Sequence, residues 1–222
     1  MGYGSGLARI FPNLTYQCSP QVEKVVAAAA PGALMLDLGA GGRRLHPDMK
    51  TVDFVDSGAT DYVADVCAVP LEDAQVDLIV ATGLLEHVQN EHDFLSECKR
   101  LVKPGGKLHI EVPFLQQYHD DPIDMRRYTQ SGLEEFIQRY GFEVDKSGFH
   151  IGPSVTVATL NAYWASFLFP GNNPVSKVLS NGAFFLVSLM GYPMKFLDKW
   201  VMRNEQAHRL AFGVYVTATR KA

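Results

Sequence analysis

The residues able to do chemistry fall into two groups along the chain. The first starts in "LDLGAGG", where Asp37, Gly39, Ala40 and Gly41 close an apolar run. It continues through Asp53 and Phe54, then Asp65 and Val66, then the turn at Thr82 and Gly83. Glycines after a buried strand let backbone approach a small ligand, because no side chain intervenes. The second group is "FLQQYHDDPIDMRRY". Here His119 is the natural general base for an alcohol or phenol, with Asp120 or Asp121 to orient it, since histidine titrates near neutral pH. The competing reading is a polar surface turn set by its Asp and Pro residues. Carboxylates this close in sequence rarely converge on one ion, so no metal is expected.

Two ligand classes use such a glycine turn. A dinucleotide asks for G-x-G-x-x-G, the third glycine letting a helix pack on the strand and meet the pyrophosphate. Gly39 and Gly41 fit that pattern, but Arg44 stands third. The run from Gly39 to Lys50 is also short for a parallel crossover, and Pro47 interrupts any helix in it. S-adenosylmethionine has no phosphate. It asks for close backbone beside its methionine part, carboxylates for the ribose hydroxyls and an acceptor for the adenine amino group. Asp37, the glycines, Asp53 and Asp65 supply these in order.

The elements that must position these residues read as an α/β chain. Strands are predicted at Leu34 to Leu38, Thr51 to Val55, Tyr62 to Ala64, Val76 to Ala81 and Lys107 to Val112, separated by amphipathic runs as in βαβ units. In "NEHDFLSECKRLVKPGG", Phe94, Leu95, Cys98, Leu101 and Val102 share one helical face, and Pro104 with Gly105 ends it. In "TQSGLEEFIQRYGF", Ser131 and Glu134 have capping-box spacing and Gly141 follows as a stop. Phe212, Val214 and Val216 alternate in a closing strand expected to pair with Phe142 to Phe149.

Taken together, these stretches resemble the class I S-adenosylmethionine-dependent methyltransferases. "LDLGAGG" looks like their first motif, "VDFVD" their acidic second-strand end, and "VADVCAVPLEDAQVDLIVATGLLEHV" their third and fourth strands. "CKRLVKPGGKLHIEVP" is similar to their fifth-strand motif, and "RRYTQSGLEEFIQRYGFEV" to the helix and strand after it. The resemblance implies a Rossmann-like, mainly parallel sheet with an antiparallel C-terminal strand, and S-adenosylmethionine as cofactor. It also implies that Gly39, Ala40 and Gly41 line the methionine and ribose, and that Asp53 takes the ribose hydroxyls. Asp65 and the Val66 backbone would hold the adenine, and the turn at Thr82 and Gly83 the methionine amino group. Arg43 departs from the pattern, standing where the family more often has a small residue, and suggests a shortened first helix. "LLEHV" reads as a turn shaping the methionine pocket. Arg126 and Arg127 read either as loop residues or as partners of an anionic acceptor.

At 222 residues, 47% hydrophobic and 20% charged, the chain is expected to form a single methyltransferase domain. It divides into an N-terminal helical segment (1–33), a cofactor-binding core (34–149), an insertion (150–205) and the closing strand (206–222). A net charge of −4 gives no field for nucleic acid. Cys18, Cys67 and Cys98 make neither a disulfide framework nor a zinc cluster, which with no signal pattern suggests a cytoplasmic protein, soluble or peripheral to a membrane. The insertion is the compositional oddity: from Ile151 to Leu197 its only charges are Lys177 and Lys195, amid many aromatics. A helical lid, a homodimer face and a membrane contact are all open for it. A lid implies a small-molecule, glycan or lipid-linked acceptor, and in-line O-methylation is the leading reaction. An NAD(P)-dependent reductase and a non-catalytic cofactor-binding scaffold are the alternatives.

Overall fold

The computed structural model describes residues 19–119 and 123–222. The chain divides into two compact units, one built on Cys18–Phe114, Pro122–His150 and Val214–Ala222, the other including Leu115–Asp121 and Ile151–Gly213.

The first unit is a seven-stranded sheet. Its strands are β1 (Met35–Leu38), β2 (Met49–Asp53), β3 (Tyr62–Val63), β4 (Val76–Thr82), β5 (Val102–Pro113), β6 (Phe142–Ile151) and β7 (Gly213–Arg220), in the order β3-β2-β1-β4-β5-β7-β6. The first five in that order pair in parallel. Hydrogen bonds from Lys221 to Gly141 and from Phe212 to Ile151 bracket β7 against β6, so those two run antiparallel. The expected pairing of the closing strand with 142–149 is therefore present, with β7 inside the sheet and β6 at its edge.

All four residues of β1 are buried, as a central parallel strand covered on both faces requires. Leu36 and Leu38 face one core with Ile79 and Ala81, closed by Phe94 and Leu101 of α2 (Glu91–Leu101) and Leu133 and Ile137 of α3 (Gln130–Arg139). Met35, Met49, Leu78 and Val80 face the other, under Val22 and Val26 of α1 (Pro20–Ala27).

Several boundaries differ from the sequence expectation. Helix α2 ends at Leu101 and β5 begins at Val102, not Lys107, so Val102 is the extended cap of the helix and Pro104 and Gly105 lie within the strand. Strand β2 begins at Met49, not Thr51. Strand β2 ends at Asp53, not Val55; Phe54 and Val55 leave the sheet and are exposed, because the Asp53 carboxylate turns back to accept the Val55 N–H at 3.0 Å. Helix α3 is capped by Thr129, whose hydroxyl accepts the Gly132 N–H at 3.1 Å, so Ser131 lies inside the first turn and not at the cap.

The second unit is helical: α4 (Pro153–Phe167), α5 (Pro174–Gly191), a 3-10 turn at Tyr192–Leu197, α6 (Asp198–Val201) and a 3-10 turn at Ala207–Leu210. Proline opens both long helices at the first turn, where its missing N–H costs nothing. The N-terminus of α4 is capped from a distance. Asp198 accepts the Ser154 N–H at 2.9 Å and the Val155 N–H at 3.4 Å, its charge also facing the positive end of the helix.

Candidate functional site

The carboxyl ends of β1, β2 and β4 converge on the glycine turn. Gly39 has φ +70°, and a Cβ there would lie 2.6 Å from Leu84 Cδ1, so both backbone and space demand glycine. The Gly39 N–H donates to the Val52 carbonyl at 2.9 Å, pinning the turn to β2. The Gly41 N–H donates to Asp53 Oδ2 at 2.7 Å. Ala40 is buried beneath it. Past β2, Phe54 stands 79% exposed, and past β3, Asp65 accepts the Cys67 N–H at 2.8 Å beside half-buried Val66. At the end of β4, Gly83 donates to the Glu111 carbonyl at 2.9 Å. The residues expected to hold a cofactor thus line neighbouring strand ends of one sheet edge.

Asp37 sits under this turn with no exposed surface and, among the described residues, no hydrogen-bond partner on either carboxylate oxygen. Burial pushes it up to about 6, opposed by the nearby Arg43 guanidinium and reinforced by Asp53. Arg43 bends back across the turn and donates to the Thr82 hydroxyl, linking the first and fourth strand ends. Arg44 points elsewhere, pairing with Asp61 at 2.8 Å and donating to the Met49 and Ala59 carbonyls. Residues 39–48 contain no helix, which removes the dipole that a pyrophosphate would meet. The dinucleotide reading loses its main structural requirement there.

Beyond β4, "LLEHV" does more than shape a turn. Glu86 is buried, with Oε2 unpartnered among the described residues, and burial pushes its carboxyl up to about 7; Asp124 raises it further, while its own backbone, His87 and Arg127 pull it down. His87 Nδ1 lies 2.6 Å from the Ile123 carbonyl, and the Met125 N–H donates to the Glu86 carbonyl at 2.9 Å. Arg126 bonds to the Val88 and Gln89 carbonyls and pairs with Glu91 at 2.5 Å, while Arg127 pairs with Asp124. Arg126 therefore straps residues 123–128 onto the turn after β4, and Arg127 braces that segment through Asp124.

His119 is half-buried in the helical unit, its Nδ1 3.5 Å from Gln116 Nε2. Asp120 and Asp121, expected to orient it, lie outside the described residues.

A buried polar cluster on β5 escaped sequence reading. Glu111 accepts from Ser19, the cap of α1, and its Oε1 lies 3.2 Å from His109 Nε2; its Oε2 is 3.8 Å from His150 Nε2. Burial raises the Glu111 carboxyl, but the His109 bond and the two histidine rings outweigh it and hold it low. Alternation along β5 puts His109 and Glu111 on the face opposite Leu108 and Ile110, a pattern visible in "KLHIEVP". Their partners Ser19, His150 and Thr217 come from distant segments, and no local signal announces them.

Residues 44–110 match a family model described as a methyltransferase domain. The chain is 30% identical over 87 residues to a probable S-adenosylmethionine-dependent methyltransferase of Mycolicibacterium smegmatis, covering 36% of this chain and 34% of that protein. It is 32% identical over 97 residues to a ubiquinone biosynthesis O-methyltransferase of Maricaulis maris, covering 34% and 38%. The chain spans about a third of the length of these curated relatives. Phosphoethanolamine N-methyltransferase 2 of Haemonchus contortus, solved with S-adenosylmethionine, shares the fold at a TM-score of 0.53 and 16% identity, over 91% of this chain and 52% of that one.

Proposed function

We propose that this chain is a class I S-adenosylmethionine-dependent methyltransferase that transfers a methyl group from S-adenosylmethionine to a small-molecule acceptor, a reading supported by its match to a methyltransferase-domain model and to named S-adenosylmethionine-dependent relatives. Asp37 is the observation that supports this most. A buried carboxylate without a partner costs several kcal/mol unless a counter-charge completes it. The donor brings a cationic ammonium and a sulfonium, and no phosphate that this acid would repel.

The residues present fit that donor. Asp37 and the backbone at Thr82 and Gly83 face the ammonium, and Arg43, already held at Thr82, is placed for the carboxylate of the same methionine group. Asp53 takes the ribose hydroxyls, its Oδ2 exchanging the Gly41 N–H for them or sharing it. Phe54 offers an exposed ring for the adenine face, and Asp65 with the Val66 N–H its edge. Ala40 and the glycines let the main chain come close. When bound, S-adenosylmethionine supplies an electrophilic methyl on sulfur.

Transfer is an in-line displacement, so positioning does most of the work. An acceptor hydroxyl must still lose a proton. His119 is the base assigned from sequence, with Asp120 and Asp121 to orient it. Glu86, buried at the donor edge, is a second proton acceptor whose ionisation near neutral pH suits the task. O-methylation of a small-molecule, glycan or lipid-linked acceptor, with the 150–205 insertion as lid, is the reading these groups favour.

The test is calorimetric titration of the full chain with S-adenosylhomocysteine. Micromolar binding is expected; no heat at any accessible concentration overturns the assignment. With an acceptor found by screening labelled methyl transfer, His119→Ala lowers kcat while leaving S-adenosylhomocysteine affinity unchanged.

A further inference from the structure

The contact between α4 and α5 in the helical unit is built largely of small residues. Helix α4 buries Ala158, Ala162, Ala165 and Ser166, and α5 buries only Ser188 and Gly191. They meet at these small residues: a Cβ on Gly191 would lie 3.0 Å from that of Ala158. Val155 is buried and Tyr163 meets Phe184 edge-on at 5.0 Å, but many of the other large apolar side chains point away. On α5 Val175, Val178, Leu186, Leu189 and Met190 are exposed, and on α4 Leu160, Trp164 and Phe167. Water drives the opposite arrangement, because exposed apolar area costs about 25 cal/mol per Å². Small residues between helices with large apolar ones outward is how helices pack when lipid is the solvent.

The charges of the unit point to the kind of lipid. From 151 to 203 its basic residues are Lys177, Lys195, Lys199 and Arg203 and its acid is Asp198. Asp198 is buried and capping α4, so it contributes nothing to the surface, and the first exposed acid after it is Glu205. Lys195 is half-buried, its Nζ 3.8 Å from the Tyr192 ring centre; Lys177, Lys199 and Arg203 are exposed. Both tryptophans of the chain stand on this unit, Trp164 63% and Trp200 74% exposed, and tryptophan favours the headgroup level of a bilayer. Among the described residues no helix is long and apolar enough to cross a membrane.

We propose that this helical unit docks on the surface of an anionic lipid bilayer, with the outward apolar side chains of α4 and α5 and both tryptophans in the interfacial layer and Lys177, Lys199 and Arg203 against lipid phosphates. The proposal stands apart from the methyltransferase reading. It needs only an apolar face and cationic groups, the combination that holds proteins on a membrane surface without spanning it.

The experiment is co-sedimentation of the full chain with phosphatidylcholine vesicles and with vesicles of phosphatidylcholine and phosphatidylglycerol in equal parts. Tryptophan emission is followed in the same samples. Binding to the mixed vesicles is expected, with a blue shift and weakening as salt rises. Lys177→Glu with Lys199→Glu is expected to weaken it at least tenfold, each lysine being worth roughly fivefold near an anionic surface. Trp164→Ser with Trp200→Ser is expected to weaken it as well. Both double variants change exposed side chains, and unchanged melting temperatures confirm that they fold. No binding to the mixed vesicles overturns the proposal, including the case in which a second copy of the chain covers this face and the protein sediments as a dimer. Equal binding to both vesicle types overturns the assignment to anionic lipid.

Discussion

Asp53 Oδ2 accepts the backbone N–H of Gly41 at 2.7 Å, so the acid that ends β2 holds the glycine turn that follows β1. One carboxylate thereby sets the shape of the turn, and in the proposed reading the same group meets the ribose. Asp53→Ala is expected to weaken S-adenosylhomocysteine binding about 10–100-fold, the range for losing a charge-assisted bond of ~1.5–3 kcal/mol. Asp53→Asn, which keeps an acceptor oxygen for Gly41, should lose less. Calorimetry on both variants decides it; equal affinities for Asp53→Ala and the parent would remove Asp53 from the site.

Gly39→Ala meets two obstacles, a positive φ and the Leu84 side chain 2.6 Å from the new Cβ. The left-handed backbone costs ~1–2 kcal/mol and overpacking against Leu84 about 1–3 more. Thermal unfolding should show a lowered Tm, and ligand affinity should fall with it because the turn must shift.

Glu86 is expected to lower stability as pH rises from about 4.5 to about 7, while buried His150, its ring held below the ordinary value, works in the opposite direction. The Glu86 carboxyl is raised from the ordinary 4.5 to about 7 in the folded protein. Between those values the native state holds a proton that the unfolded chain has released, so unfolding becomes easier as pH increases. The loss across that window is up to ~3 kcal/mol. Asp37 acts in the same direction between 3.8 and about 6. Denaturant melts of the parent and of Glu86→Gln from about pH 4.5 to 8 should differ most below about pH 7, the parent losing stability relative to the variant as pH rises. A Glu86→Gln variant with the parent's pH dependence would contradict this account.

Asp198→Ala removes the cap of α4 and leaves the Ser154 and Val155 N–H groups unpaired in a buried place. A cost of about 1–2 kcal/mol is expected from the lost cap. Gly152→Ala should be comparable or worse, since its Cβ would fall 2.5 Å from the Asp198 carboxyl carbon. Hydrogen exchange at the first turn of α4 should rise in both variants while amides of β1 and β4 stay protected.

Much of the sheet was legible because a buried strand writes its own pattern: Leu34–Leu38 and Val76–Ala81 are apolar runs ended by turn residues, and both became central strands. The end of β2 was misplaced because Phe54 and Val55 have strand composition and nothing local reveals that Asp53 turns the chain outward. The start of α3 was displaced for a similar reason, Ser131 and Glu134 offering a capping pattern that Thr129 pre-empts. The glycines and ordered acids read from the sequence lie at neighbouring strand ends because successive parallel strands finish on one edge of the sheet. The buried state of Glu86 depends on the segment at 123–128, and the Glu111 cluster on Ser19, His150 and Thr217. Such groupings exist only after folding. The insertion showed its apolar composition in sequence, but the outward direction of its large side chains is set by which small residues meet between α4 and α5.

The place of β7 between β5 and β6 has a consequence for how the protein is made. Until residues 213–220 leave the ribosome, β6 has no strand beside it and β5 shows an open edge. The whole helical insertion, with its outward apolar faces, must emerge before that gap can close. A nascent chain in this state offers both an unpaired strand edge and a greasy surface. Its early encounter partner, chaperone or bilayer, therefore has a say in whether the last strand finds its slot.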